Sequence, residues 1–388
     1  MDRTILHFDL DAFFCSVEAI LNPQLRGQAF VVAGSPEERG VVSSASYPAR
    51  KHGVRSAMPT AQALRLCPGL IVVRPRHRPY GEHSDRVMDL VRGSVPAMEQ
   101  VSIDEAFLDV TDHPRPGREV AAGLQAEILR RFSLPTSWGV APNKLVAKVA
   151  TNVGKPNGLI VVPPGQEATF LAPLPVSMLW GVGPKTQGQL AEFGVRTIGD
   201  LAGMPGDRLR SLWGERGIDL AASARGEDGS SVVEGHEARS VSSETTFARD
   251  ISDREALSRT LRSLAEDVGQ RLRESEVAGT TVRIKVRWPD FTTITRQTRL
   301  RQPSDQDGEI FQAAQELFDR VWRPGKAVRL LGVGMAGLGP PLRQLGLFDR
   351  RWEEDSRLLK AVDAIRAKYG WDAVQRASDL QKRPDRPR

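Results

Sequence analysis

Residues 4–18 read TILHFDLDAFFCSVE, and the fold class turns on how they divide. Residues 4–10 are rich in apolar and aromatic side chains and read as a short buried strand. Residues 12–21 then carry a helical pattern, so Asp9 closes a strand directly before a helix. A second stretch, residues 101–110, reads VSIDEAFLDV, a hairpin-like pair of strands around Asp104 and Glu105. Carboxylates set among apolar residues are costly unless paired or bound to a cation. Asp9, Asp104 and Glu105 at strand ends would give an all-oxygen donor set of the kind Mg²⁺ takes. Two such ions can activate an attacking hydroxyl and stabilise a leaving phosphate oxygen. On spacing alone, a solvated turn at Asp104–Glu105 and a helix cap at Asp9 account for the same residues equally well.

Outward from these acids, the first 167 residues alternate strands (29–33, 40–44, 70–73, 136–140, 159–162) with helices (60–66, 83–95, 120–132, 143–153). The alternation lacks the regular crossovers of a doubly wound sheet, so the expected class is α+β. Pro163, Pro164, Pro173 and Pro175 mark a boundary, followed by a small helical region over 168–229. Residues 226–235 are polar and rich in Gly, Ser and Glu, as a linker would be. Residues 239–342 then give the order β-α-β-β-α-β of a split βαβ sandwich. A final helix is expected over 353–375, with Leu358, Val362, Ile365 and Tyr369 spaced 4, 3 and 4, and a disordered basic end from Lys382.

The 388 residues are 40% hydrophobic and 26% charged, an ordinary globular balance that excludes a collagen, a wholly disordered chain and a membrane bundle. No apolar run is long enough to span a bilayer, and acids interrupt the first apolar stretch, so no signal peptide is expected. Two cysteines, Cys15 and Cys67, cannot build a disulfide framework, and the cytoplasm is the simplest compartment. Lys+Arg exceed Asp+Glu by 54 to 48, which permits a nucleic-acid partner without requiring one.

The pair Asp9-Leu10-Asp11 also resembles the nucleophile loop of haloacid-dehalogenase-like phosphatases, in which Asp9 would be a covalent nucleophile and Asp11 an acid/base. That reading requires a doubly wound scaffold. A more extensive resemblance lies in four long motifs: FDLDAFFCSVE (8–18), SSASYPARKHGVRSAMP (43–59), VSIDEAFLD (101–109) and GVAPNKLVAKVATNVGKPNG (139–158). In order and spacing they resemble the Y-family (translesion) DNA polymerases of the DNA polymerase IV class, and the resemblance extends over about residues 1–348.

The resemblance implies a multidomain right-hand polymerase: palm at 1–10 and 75–167, fingers at 11–74, a helical thumb at 168–229, a linker at 230–238, a little finger at 239–342, and a clamp-binding peptide with a helical tail at 343–388. It implies that Asp9 and Asp104 bridge two Mg²⁺ ions (Mn²⁺ being an alternative), that Glu105 completes the site activating the primer 3′-hydroxyl, and that the Leu10 carbonyl is a further ligand. Ser44, Tyr47, Arg50 and Lys155 would grip the dNTP triphosphate, arginine as a planar fork and lysine as a point charge. Phe14 would be the steric gate that excludes a 2′-hydroxyl. Phe13 would pack beside it at the nucleotide, and small Val41 and Ser43 would roof an open, weakly discriminating pocket. Error-prone translesion synthesis on primer–template DNA, in repair and damage tolerance and without proofreading, is the implied activity. A catalytically silent repair scaffold is the other reading, which the presence of all three acids disfavours.

Three further stretches suggest contacts. Leu179-Trp-Gly-Val-Gly-Pro-Lys185 resembles a helix-hairpin-helix, whose Gly181 and Gly183 would let backbone N–H groups meet a DNA phosphate beside Lys185. In residues 281–288 Val282, Ile284 and Val286 alternate with Arg283, Lys285 and Arg287; Arg296, Arg299 and Arg301 follow, six cations against the single acid Asp290. A cationic sheet face is a natural seat for a phosphate backbone. Gln344-Leu345-Gly346-Leu347-Phe348 resembles a bacterial sliding-clamp-binding peptide, with Leu347 and Phe348 as apolar anchors. No membrane partner is expected, and the chain is expected to be a monomer.

Overall fold

The computed structural model describes residues 3–235, 237–342, 350–370 and 373–374. They divide into two compact units, one of residues 1–36 and 40–236, the other of 37–39 and 237–388. The chain order in the first unit begins with β1 (Ile5–Leu10), α1 (Phe13–Leu21), β2 (Phe30–Ala33), β3 (Val42–Ala45), α2 (Tyr47–Lys51), α3 (Thr60–Leu66), β4 (Ile71–Val73) and α4 (His77–Arg92). It continues with β5 (Ala97–Gln100), β6 (Glu105–Asp109), α5 (Gly117–Phe132), β7 (Thr136–Ala141), α6 (Lys144–Gly154) and β8 (Leu159–Val161). Five helices complete it: α7 (Glu167–Leu171), α8 (Pro184–Glu192), α9 (Ile198–Ala202), α10 (Gly206–Trp213) and α11 (Glu215–Ala224).

The main sheet has the order β5-β6-β1-β7-β8, with β1 antiparallel to both β6 and β7. The doubly wound scaffold that the phosphatase reading requires is therefore absent. Because side chains alternate along a strand, Leu6, Phe8 and Leu10 join a core with residues of α1, α4 and α5, such as Val17, Val87 and Ile128. Ile5 instead joins Phe107 and the α6 residues Val146 and Val149 on the opposite face. Position 139 has to be glycine for α6 to lie on β7: a Cβ there would stand 2.0 Å from the Ala147 carbonyl oxygen.

A smaller sheet, β3-β2-β4, has its own core with α2 and α3, built from Val31, Val42, Ala49, Val54 and Ala63. The helices α7–α11 close on Leu171, Leu190, Ile198 and Leu209. The stretch expected to be a free linker is anchored over much of its length. Asn143 Nδ2 donates to Gly226 O (2.8 Å), Leu145 N donates to Asp228 Oδ2 (3.0 Å) and Val233 N donates to Glu99 Oε2 (2.9 Å).

Of the boundaries that differ from expectation, two have a plain physical cause. α4 begins at His77 rather than at residue 83, because Pro79 falls in the first turn, where a missing N–H costs no hydrogen bond. The hairpin strands are 97–100 and 105–109; residues 101–104 are the turn, and Val101 and Ile103, expected inside, are exposed. Helix α2, which carries Tyr47 and Arg50, is too short to leave a periodic signal in sequence.

The second unit comprises β9 (Ser240–Ile251), α12 (Arg254–Glu274), β10 (Ala278–Arg287), β11 (Thr293–Ser304), α13 (Asp307–Val321), β12 (Val328–Gly339) and α14 (Arg350–Tyr369). Its antiparallel sheet has the order β11-β10-β12-β9, one face packing on α12 and α13 through Val282, Ile284, Leu261 and Phe318. Arg273 on α12 joins the helices, its guanidinium reaching Asp307 (2.8 Å) on α13 and Asp363 (2.6 Å) on α14.

Candidate functional site

The end of β1 delivers Asp9 to one wall of a cavity of about 230 Å³ that is also lined by Phe14, Ser44, Arg50, Asp104 and Lys155. Leu10 and Phe13 line it too. Asp9 and Glu105 are direct cross-strand partners, and Leu10 N donates to Asp104 O (2.9 Å), so the β5–β6 turn is pinned to the end of β1. The three acids expected to act together are thus gathered at one place by strand pairing.

Helix α6 lies over them with a polar ladder in an otherwise apolar face. Lys144, Lys148 and Thr151 are spaced 4 and 3, so they share one side of the helix, and Lys155 follows as its C-cap. Lys144 Nζ meets Glu99 (2.6 Å), Lys148 Nζ meets Glu105 (2.7 Å), Thr151 Oγ1 lies 3.0 Å from His7 Nδ1, and Lys155 Nζ meets Asp9 (2.7 Å). The sequence singled out only the last of these. The signal for the others was the recurrence of Lys at 144 and 148 in a helix that is otherwise apolar there.

The electrostatics follow from burial and this ladder. Burial pushes the Asp9 carboxyl up to about 6 against the pull of Lys155, with Asp104 and Glu105 pushing the same way as burial. Burial would also raise Glu105, but the Lys148 ammonium, 2.7 Å away, outweighs it and holds that carboxyl below the usual range. Burial pushes His7 down to about 4, so it is neutral near pH 7. Its Nε2 lies 3.3 Å from Glu105 Oε2, without a hydrogen bond of good geometry. Asp104 accepts from Ser102 Oγ (2.5 Å).

Among the described residues, no three His, Cys, Asp or Glu side chains already sit close enough to cage a metal. Each acid here has a protein partner instead. The donor chemistry nevertheless suits a hard cation: three carboxylates and no soft ligand, one of them resisting ionisation although a lysine touches it.

Asp11 departs from the phosphatase expectation. It is fully buried and accepts from Tyr47 Oη (2.9 Å), Ser137 Oγ (2.9 Å) and Asn157 N (2.7 Å). A carboxylate so occupied holds the Tyr47 helix and the turn after Lys155 together; it is not an acid/base beside Asp9. Ala12 makes the reversal possible by taking the left-handed region, with φ 46°.

Phe14 stacks on Tyr80 at 4.2 Å between ring centroids and 12° between planes, and the Tyr80 hydroxyl donates to buried Glu18 (2.6 Å). Phe13 is almost wholly buried yet borders the same cavity. Arg50 donates through Nε to Ala45 O (2.9 Å) and stands 4.8 Å from the centre of the Tyr47 ring. Ser43 lines the cavity as expected of a roof, and Val41 is half exposed. Tyr47, held by Asp11, is not among the lining residues.

In the hairpin, Gly181 has φ +89°, Gly183 is the N-cap of α8, and Lys185 is exposed in its first turn. On the sheet of the second unit, Val282, Ile284 and Val286 are buried while Arg283, Lys285 and Arg287 occupy the other face. Arg299 shares that outer face through its partner Thr281, and Arg301 is exposed just past it, where the register is irregular. Arg296 does not: it pairs with buried Ile284 and lies on the helix side of the sheet, which leaves Arg283, Lys285, Arg287 and Arg299 together. Lys285 is offset by Glu244 on β9 (2.8 Å). Gln344, Leu345, Leu347 and Phe348 lie outside the described residues.

Comparison with known proteins agrees across the whole length. The impB/mucB/samB family matches residues 8–152, its C-terminal domain residues 238–347, and its helix-hairpin-helix motif residues 164–195. DNA polymerase IV of Desulfatibacillum aliphaticivorans is 41% identical over 97% of both chains. DNA polymerase IV 1 of Bacillus subtilis is 37% identical, covering 98% of this chain and 94% of its own. Among solved structures, a Y-family DNA polymerase chimera superposes with a TM-score of 0.77 at 27% identity, over 87% of this chain and 99% of that one. An insertion ternary complex of Dbh DNA polymerase gives 0.63 at 26% identity, over 86% and 98%.

Proposed function

The chain belongs to the impB/mucB/samB family of Y-family DNA polymerases, in the DNA polymerase IV class, and is a DNA-directed DNA polymerase; from that premise we propose how its residues divide the work. Primer–template DNA and a dNTP are the substrates, and the α-phosphate of the dNTP is attacked by the primer 3′-hydroxyl with release of pyrophosphate. The observation that carries this is the meeting of Asp9, Asp104 and Lys155 with Phe14, Ser44 and Arg50 around one cavity.

Asp9, Asp104 and Glu105, with the Leu10 carbonyl, would hold two Mg²⁺ ions, which when bound lower the pKa of the attacking hydroxyl and neutralise charge on the phosphates. Lys155 then exchanges Asp9 for a phosphate oxygen, and Arg50 and Ser44 donate to the same triphosphate. Tyr47, held by Asp11 outside the cavity lining, fixes α2 and with it Arg50. Phe14, braced by Tyr80, excludes a 2′-hydroxyl. The palm is assigned to residues 1–10 and 75–167, the fingers to 11–74, the thumb to 168–229, the linker to 230–238 and the little finger to 239–342. Gly181, Gly183 and Lys185 take duplex phosphates, as do Arg283, Lys285, Arg287, Arg299 and Arg301, in sequence-independent contacts. Error-prone synthesis across damaged templates, in DNA repair, is the physiological role, and residues 344–348 recruit a sliding clamp.

The test is primer extension on a primed template with dNTPs and Mg²⁺. Wild type extends the primer according to the template, and Asp104→Ala loses that activity by several orders of magnitude while still binding DNA. Equal extension by the variant removes Asp104 from the reaction.

A further inference from the structure

His7 stands on β1 two residues before Asp9 and is fully buried. Its ring packs against Phe107, with centroids 4.6 Å apart. Nδ1 lies 3.0 Å from Thr151 Oγ1, while Nε2 lies 3.3 Å from Glu105 Oε2 without an aligned partner. A buried ring nitrogen left unpaired is costly, so the ring hydrogen belongs where both nitrogens are served.

Thr151, itself fully buried, decides where that is. Its hydroxyl has one hydrogen, and Oγ1 lies 3.0 Å from the His7 carbonyl and from the Ala147 carbonyl as well as from Nδ1. If the hydroxyl donates to a carbonyl, Nδ1 must carry the ring hydrogen, and the bare lone pair of Nε2 faces a carboxylate. If it donates to Nδ1, the hydrogen sits on Nε2 and is turned to Glu105. Only the second arrangement serves both nitrogens. The Ala147 carbonyl loses little by it, since within α6 it accepts the backbone N–H of Thr151. Lys148 Nζ donates to the same Oε2 of Glu105 (2.7 Å), and no described residue bonds to Oε1. Both partners thus converge on one oxygen and leave the other open.

We propose that His7 is a positioning residue for Glu105: Thr151 sets the Nε2–H tautomer, that N–H holds Oε2, and Oε1 is left to the metal ion assigned to the primer hydroxyl. The inference rests on the reading of Glu105 as a metal ligand. Lys148 reaches Oε2 on a long flexible stem, whereas His7 is fixed by burial, by Phe107 and by Thr151. A hydrogen-bond partner behind a metal ligand is worth about ten- to a hundredfold in metal affinity.

The experiment uses the full chain. In the metal-free protein the ring nitrogens of the six histidines are recorded by nitrogen-15 NMR, and the His7 pair is identified by its loss in His7→Gln. Wild type shows a protonated Nε2 and a bare Nδ1. Thr151→Val, which removes the hydroxyl and keeps the shape, loses that preference. Metal affinity is then read from the spin signal of free Mn²⁺ with primer–template DNA bound. His7→Asn, whose amide reaches only the Nδ1 position, weakens Mn²⁺ binding about tenfold, and His7→Gln, whose amide reaches the Nε2 position, recovers most of it. KM for primer–template is unchanged in both, which a general loosening of the fold would not allow. Should the His7 variants fold poorly, the tautomer in wild type and in Thr151→Val decides. A protonated Nδ1 in wild type, or equal Mn²⁺ affinity in His7→Asn and His7→Gln, overturns the proposal. Failure of the metal reading is separate: Mn²⁺ affinity unchanged by Glu105→Ala removes Glu105 as a ligand whatever the tautomer of His7.

Discussion

At the scale of single residues, placement separates side chains that look alike in sequence. Asp9 and Asp11 are two positions apart, yet Asp9 borders the cavity and Asp11 is buried and held by three donors. Phe13 and Phe14 are adjacent, and the more exposed ring is the one stacked on Tyr80. That stack leaves Phe14 little room to yield, since Tyr80 is itself fixed by Glu18. Phe14→Ala is therefore expected to lower discrimination between dNTP and rNTP by about ten- to a hundredfold, the usual worth of a steric contact in a pocket. The ratio of kcat/KM for the two nucleotides measures it; an unchanged ratio would place the gate elsewhere.

At the scale of elements, α6 is the piece on which the site depends. It supplies the partners of Glu99, Glu105 and His7, and its C-cap Lys155 that of Asp9; it can do so only because it touches β7 at Gly139. Gly139→Ala should cost about 3 kcal/mol by overpacking, or more if α6 cannot shift. Activity should fall with it, as thermal unfolding and primer extension on the same sample would reveal. A second joint links α12, α13 and α14 through Arg273. Burial pushes Asp307 up to about 6 from 3.8 despite Arg273. A carboxyl raised in the folded state contributes stability that is full below 3.8 and is lost as pH rises through about 6. Between pH 4 and pH 7, wild type should therefore lose stability relative to Asp307→Asn. Hydrogen exchange of α13 amides in the two proteins reads the difference, and parallel pH profiles would contradict it.

At the scale of the whole molecule, the proposed DNA contacts spread over both units, so binding should depend steeply on salt. Each phosphate contact removed should lower the slope of log affinity against log salt by about 0.9. Arg283→Gln with Arg299→Gln should then reduce the slope by roughly 2, whereas Lys285→Gln, whose charge is already offset by Glu244, should change it less. Titrations of primer–template binding at several salt concentrations test the contrast.

Much of this was legible in the sequence. Alternation in residues 281–288 marked the buried and cationic faces of β10, and helical spacing located α3 and α6 within a residue or two. Motif order brought forward Asp9, Asp104, Glu105, Phe14 and Lys155. Periodicity tells a residue which face it occupies but not which residue it faces, and there the tertiary structure decided. The pairing of β1 with both β6 and β7 removed the phosphatase scaffold, and the register of β11 on β10 moved Arg296 off the cationic face. The packing of α6 across the strand ends turned scattered lysines into partners of Glu99 and Glu105. Local pattern and motif were fixed by residues a few positions apart, while these partners lie tens of residues away and meet only when strand order and helix packing are set.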